Sequence, residues 1–175
     1  IKTPIMAYNI PVYTQFDITP EIFARFSEID GVDYIKDSTA DPSRIEKLVG
    51  QGSKVFCGCD FLNFFALVNG ATGLFTGSGN VAPAQIRQLY DLVKSSDYGE
   101  AEKVWKKLQP ISRLLWTLPF NPVAKAGSDR TGRKVGPCRM PVPPLKEHEL
   151  KLVDEAVAAL SGLPPLADQH ARHDM

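Results

Sequence analysis

The chain has 175 residues, which is enough for one domain with a real core and argues against two. Acidic and basic side chains balance at 20 each, unlike nucleic-acid or membrane-surface binders, which carry excess positive charge. No run approaches the roughly 18 apolar residues of a membrane span. The opening Ile1-Lys2-Thr3-Pro4 does not read as a signal peptide. The sparse, odd set of cysteines, Cys57, Cys59 and Cys138, suits a reducing compartment, so a soluble cytoplasmic protein is expected.

The chain opens without Met and almost directly on an apolar, strand-like run, which suggests the later part of something longer. Ile5 to Asn9 reads as a buried strand. Pro20 to Ile29 reads as a helix, with Thr19 as N-cap, Pro20 at its first position and Ile22, Phe23 and Phe26 on one face. Val32 to Lys36 is the second strand, and Pro42 to Val49 a helix closed by Gly50 and Gly52. Lys54 to Cys59 is the third strand and Phe61 to Asn69 a short apolar helix. Gly73 to Thr76 is the fourth strand, followed by a loop, Gly77-Ser78-Gly79-Asn80, and a helix from Pro83 to Ser95. Strands that are apolar throughout are those buried on both faces of a parallel sheet. Repeated βα units give either a doubly wound sheet or a (β/α)₈ barrel.

Beyond residue 96 the pattern is helical only. Asp97 caps a segment reaching Thr117, with Ala101, Val104, Trp105, Leu108, Ile111 and Leu115 at helical spacing. Leu118 to Pro144 reads as a Pro-rich, partly basic stretch and Glu147 to Leu160 as a last helix. The expected organisation is therefore βα units over 1–96, a helical extension over 97–163 and a flexible tail over 164–175, in which His170 and His173 read as a solvated end.

In parallel βα folds, chemistry gathers at the carboxyl ends of the strands. Tyr8, Lys36, Asp60 and the Gly77–Asn80 loop all fall there. On its own run, Lys36 is either a strand-end lysine reaching into water or an amine whose desolvation makes it a nucleophile for a ketone. Tyr8 is either a rim aromatic or a proton relay. Asp37 follows Lys36 and would point to the opposite face, so it reads as a loop or helix-start residue. The Gly77–Asn80 backbone is a weak anion-holding signal. Cys57-Gly58-Cys59 makes no metal set, because alternate residues of a strand face opposite sides and no second pair exists.

Taken together, Tyr8-Asn9-Ile10-Pro11, Ile35-Lys36-Asp37-Ser38, Gly58-Cys59-Asp60, Gly73-Leu74-Phe75, Asn80-Val81-Ala82-Pro83 and Asn121-Pro122 follow in an informative order and spacing. The chain resembles the dihydrodipicolinate synthase / N-acetylneuraminate lyase family of class I aldolases, from its first residue to about residue 163. The resemblance implies the second half (strands 5 to 8) of a (β/α)₈ TIM barrel with a helical carboxyl-terminal extension. It makes Lys36 the Schiff-base lysine and Tyr8 the proton-relaying tyrosine, with Phe75, Gly77 and Asn80 lining the pocket and Tyr13 tuning the substrate. It also implies pyruvate or another 2-oxo acid as substrate, no metal or organic cofactor, and a homotetramer using the helix 97–117 at an interface. Tyr13 stands where the synthases of the family carry an arginine that grips a second carboxylate, and Gln15 replaces a following glycine. A phenol gives no bidentate charged grip, so an aldolase or dehydratase acting on a sugar-derived 2-oxo acid is favoured. The family's Gly-Thr-Thr-Gly-Glu carboxylate loop has no counterpart in these residues, which leaves a non-catalytic binding or scaffold module as the alternative. A flavodoxin-like nucleotide binder would leave Lys36 and Tyr8 without a role.

Overall fold

The computed structural model describes residues 3–162, and the expected tail with its two histidines lies outside them. The chain divides into two units, the first ending at Thr76 and the second beginning at Gly77.

The first unit is a four-stranded sheet in the order β1-β2-β3-β4, every neighbouring pair parallel. The strands are β1 (Ile5–Asn9), β2 (Val32–Asp37), β3 (Lys54–Cys57) and β4 (Gly73–Leu74). The helices between them are α1 (Pro11–Thr14), α2 (Pro20–Phe26), α3 (Pro42–Gly50) and α4 (Asn63–Val68), the last preceded by a 3₁₀ turn over Asp60–Leu62. Local chemistry sets the helix starts. The Thr19 side chain accepts from the Ile22 N–H at 3.3 Å, and the Asp41 carboxylate accepts from the Ser43 N–H at 2.9 Å. Each cap precedes a proline at the first helical position, where a missing N–H costs nothing. Gly52, at φ +86°, follows α3 in the left-handed conformation that glycine adopts without steric penalty.

The strand register sorts the side chains. Tyr8 pairs with Lys36, Lys36 with Phe56 and Phe56 with Gly73, so these four form one row on one face. The next row, on the opposite face, runs Asn9, Asp37, Cys57 and Leu74. The core of this unit lies on the second face, where Ile35, Val55 and Cys57 are fully buried with Phe23, Ile45, Leu48 and Ala66. The third strand stops at Cys57, two residues short of the expected end. The Cys59 carbonyl is taken by the Leu62 N–H at 2.9 Å, which winds the chain into the 3₁₀ turn.

The second unit is helical: α5 (Ser78–Val81), α6 (Pro83–Lys94), α7 (Tyr98–Thr117), α8 (Phe120–Arg130) and α9 (Glu147–Ala158). Asp97 caps α7 through the Glu100 N–H at 3.3 Å. The expected stripe on α7 is buried throughout: Ala101, Val104, Trp105, Leu108, Ile111 and Leu115. Two expectations are corrected. The segment Gly77–Asn80 is not an open loop, because the Asn80 N–H bonds the Gly77 carbonyl at 2.9 Å and the Ala82 N–H bonds the Ser78 carbonyl at 2.8 Å, giving a helical turn. The Pro-rich stretch contains α8. Its prolines sit at the N-cap (Pro119) and in the first turn (Pro122), where no N–H is needed for the helical ladder. Among the described residues, no helix is long and apolar enough to cross a membrane.

Candidate active site

Tyr8 and Lys36 end adjacent parallel strands on the same face, and their side chains meet. The Lys36 Nζ lies 4.0 Å from the centroid of the Tyr8 ring and 4.6 Å from that of Phe75. The Phe75 ring is brought there by the chain just past β4, whose Phe75 N–H bonds the Cys57 carbonyl at 2.9 Å. Lys36 is half-buried, while Tyr8 and Phe75 remain 46% and 61% exposed. Two ring faces on one ammonium are worth about 0.5–1 kcal/mol each at such exposure, so the clamp orients the amine while leaving it open to a small molecule. Gly73, facing Phe56, keeps this row flat. A Cβ there would lie 2.7 Å from the Phe56 ring.

Behind this face the strand ends are tied together by a buried polar network that the sequence reading missed. Asp37 is not a loop residue. It is the last residue of β2 and is 3% exposed. Asn9, 1% exposed at the end of β1, donates one amide hydrogen to Asp37 Oδ2 at 2.9 Å and the other to Asp17 Oδ1 at 3.0 Å. Its amide oxygen accepts from the Ile18 N–H at 2.9 Å. Asp37 Oδ1 accepts from the Thr39 N–H and hydroxyl at 3.1 and 2.5 Å. Arg44 of α3 grips both Asp17 oxygens, at 2.9 and 2.7 Å. A buried carboxylate without a cation beside it is held by such directed donors. The network joins β1, β2, the loop before α2 and α3. The one signal for it in the sequence was strict strand alternation: if Tyr8 and Lys36 share a face, Asn9 and Asp37 share the other.

The remaining expected site residues are distributed as follows. Tyr13 lies on α1, 78% exposed. Asp60 opens the 3₁₀ turn and is buried. Gly77 and Asn80 belong to the second unit. A Cβ on Gly77 would meet the Phe120 ring at 2.6 Å, and the Asn80 carbonyl accepts from the Ser128 hydroxyl at 3.1 Å and from Arg133 Nε at 3.2 Å. Among the described residues, no three His, Cys, Asp or Glu side chains come together as a metal-holding group.

Burial pushes the Cys57 thiol up to about 12 and the Cys59 thiol to about 11. In the unfolded chain such thiols ionise from about pH 8.5. The folded chain therefore holds more protons above that pH. The stability due to these thiols is complete below about pH 8.5 and is lost as the pH rises toward 12. Urea midpoints are expected to fall between about pH 8 and pH 10.5, and to fall less steeply in a C57A/C59A variant.

A lysine and a tyrosine that meet at the carboxyl ends of a parallel βα sheet stand where such folds carry their chemistry. The comparisons narrow this. A family model described as the dihydrodipicolinate synthetase family matches residues 2–160, and the chain belongs to that family. The 4-hydroxy-tetrahydrodipicolinate synthase of Bartonella tribocorum is 33% identical over 176 aligned positions, covering 90% of this chain and 55% of the relative. The enzyme of the same name from Archaeoglobus fulgidus is 27% identical, covering 91% and 56%. Among solved structures, dihydrodipicolinate synthase from Thermotoga maritima superposes with a TM-score of 0.82 at 26% identity, covering 89% of this chain and 55% of that one. YagE, a prophage protein of the same family from E. coli K12 solved with pyruvate, gives 0.83 at 25% identity, covering 91% and 57%. The chain thus spans about half the length of the relatives it matches.

Proposed function

We propose that this chain carries the Schiff-base half of a class I aldolase-type lyase: strands 5 to 8 of a (β/α)₈ barrel over 1–96 and its helical extension over 97–163. Its substrate is pyruvate or a 2-oxo-3-deoxy sugar acid. The observation that carries the reading is the Lys36 Nζ held 4.0 Å from the Tyr8 ring centroid at the carboxyl ends of neighbouring strands. The pyruvate bound by YagE supports the substrate class. Apart from the two units' separate geometry, Tyr13, Phe75, Gly77 and Asn80 are assigned to substrate binding by family resemblance.

The chemistry follows from the amine. Uncharged Lys36 Nζ attacks the ketone carbon and forms a C–N bond; the carbinolamine hydroxyl then takes a proton and leaves as water, which gives a protonated imine. That cation draws electrons from the adjacent carbon. Loss of a proton from C3 then gives an enamine that can form a C–C bond to an aldehyde, and the reverse sequence cleaves one. Tyr8 is the group that takes and returns the proton, and its ring face and that of Phe75 suit a positive nitrogen. Because the imine is itself the electron sink, the proposal includes no metal or organic cofactor. A homotetramer with α7 at an interface and a cytoplasmic location complete it.

Synthesis of 4-hydroxy-tetrahydrodipicolinate, the activity named for the relatives, is the second reading. Tyr13 argues against it, having a phenol in place of an arginine that would grip a second carboxylate. Turnover by the intact protein on a panel of 2-oxo-3-deoxy sugar acids, and none in dihydrodipicolinate formation, would favour the lyase.

The role of Tyr8 is tested by Tyr8→Phe, which keeps the ring under the amine and removes the hydroxyl. Borohydride trapping of pyruvate should persist within a few-fold. Exchange of the pyruvate methyl protons for deuterium, followed by NMR, should slow by roughly 10²–10⁴-fold. Equal loss of both would show that the hydroxyl is not the proton carrier.

A further inference from the structure

At the end of β3, Gly58 has no side chain at the point where the Lys36 chain passes. A Cβ built on it would lie 2.0 Å from Ser38 Oγ, 2.8 Å from Lys36 Cε and 3.1 Å from the Asp37 carbonyl oxygen. Gly58 is not among the glycines with positive φ, so its backbone is open to other residues and the requirement is for space alone. Its N–H bonds the Asp37 carbonyl at 2.8 Å, fixing the gap against the end of β2. Ser38, 6% exposed, has a buried hydroxyl with no hydrogen-bond partner among the described residues. A buried hydroxyl left unpaired is disfavoured, and this one borders the space that Gly58 leaves open. Cε is bonded directly to Nζ, so whatever moves it moves the nucleophile.

We propose that Gly58 and Ser38 are positioning residues: together they form a slot, one Cβ wide, that holds the Lys36 side chain on the Tyr8 and Phe75 rings in the orientation needed for imine formation. This rests on the lyase reading above. Gly58→Ala fills the slot. The two shortest contacts are to side chains, and the Asp37 carbonyl oxygen at 3.1 Å need give by only a few tenths of an ångström, so the substitution is expected to shift side chains and keep the sheet. A misplacement of about 1 Å at a reacting atom costs on the order of 10²-fold in rate.

The test uses the full chain in four forms: unsubstituted, G58A, S38A and the double variant G58A/S38G, which removes the nearest clash and keeps the methyl against Lys36. Two readouts are taken. The first is the rate of borohydride-trapped pyruvate adduct as a function of pyruvate concentration. The second is the position of the Lys36 ε-methylene signal in ¹³C-lysine-labelled protein, assigned by its absence in K36R. In the unsubstituted chain the rings should shift that signal upfield. G58A should return it toward the exposed lysines and lower the saturating trapping rate by about 100-fold, with an unchanged circular dichroism spectrum. S38A, which opens the slot on one side without filling it, should move both readouts in the direction of G58A but by less. Should G58A fail to fold, the double variant carries the same expectation. A ring-shifted signal and parental trapping rate in the folded variant would overturn the proposal. Absence of adduct in the unsubstituted chain would defeat the lyase reading instead, and the lysine signal would still decide the slot.

Discussion

Replacing Asn9 by leucine should destabilise the fold by about 2–5 kcal/mol, read as a drop in the urea midpoint at neutral pH with little change in slope. The shape of the side chain is nearly kept and its hydrogen bonds are not. Asp37 would lose the donor to Oδ2, and the Ile18 N–H would lose its acceptor. Water cannot replace the donor that Asp37 loses, since Asn9 is 1% and Asp37 3% exposed, and the Ile18 N–H is part-buried. Removing one partner of a buried charged group is the costly direction, because the desolvated carboxylate remains. Arg44→Met provides the internal contrast. It breaks a two-pronged ion pair with Asp17, whose side chain is 38% exposed, so a loss of about 1 kcal/mol or less is expected. Equal losses in the two variants would mean that the network does not hold β1 to β2.

Lys36→Arg should abolish deuterium exchange into pyruvate, with a loss on the order of 10⁴-fold or more, while leaving the fold unperturbed. The guanidinium keeps the positive charge and stacks on the Tyr8 and Phe75 rings as the ammonium does. It remains protonated under all accessible conditions and so offers no free electron pair to a ketone. The substitution therefore separates the electrostatic role of the residue from its nucleophilic role. Exchange within tenfold of the parent would mean that the ring contact, and not the amine, is what the residue contributes.

Much of the first unit was legible because its strands are short runs rich in β-branched, aromatic and other apolar residues, punctuated by Thr-Pro and Asp-Pro helix starts. Ile5–Asn9 emerges with its expected ends but not its expected burial, only Asn9 being buried, and the meeting of Tyr8 with Lys36 follows from two parallel strands ending level. What stayed hidden is what depends on the partner strand. Asp37 beside a polar turn looks like a loop residue until Asn9 is seen opposite it, 28 positions away. Gly58 looks like an ordinary residue of the third strand until the Lys36 chain is seen passing over it. α8 lies hidden for a different reason: it falls in a Pro-rich stretch, and Pro119 and Pro122 stand where a helix start tolerates them. The Gly77–Asn80 segment is a similar case, its glycines suggesting a loop where one is packed against Phe120 and the chain turns helically.

The central claim is that one ε-amine is the nucleophile. Incubating the intact protein with pyruvate, reducing with borohydride and mapping the peptides by mass spectrometry tests it most directly. The account predicts a single reduced pyruvyl addition on the peptide carrying Lys36, absent from the Lys36→Arg variant. A pyruvyl label on another lysine, or none on a folded protein, would contradict it.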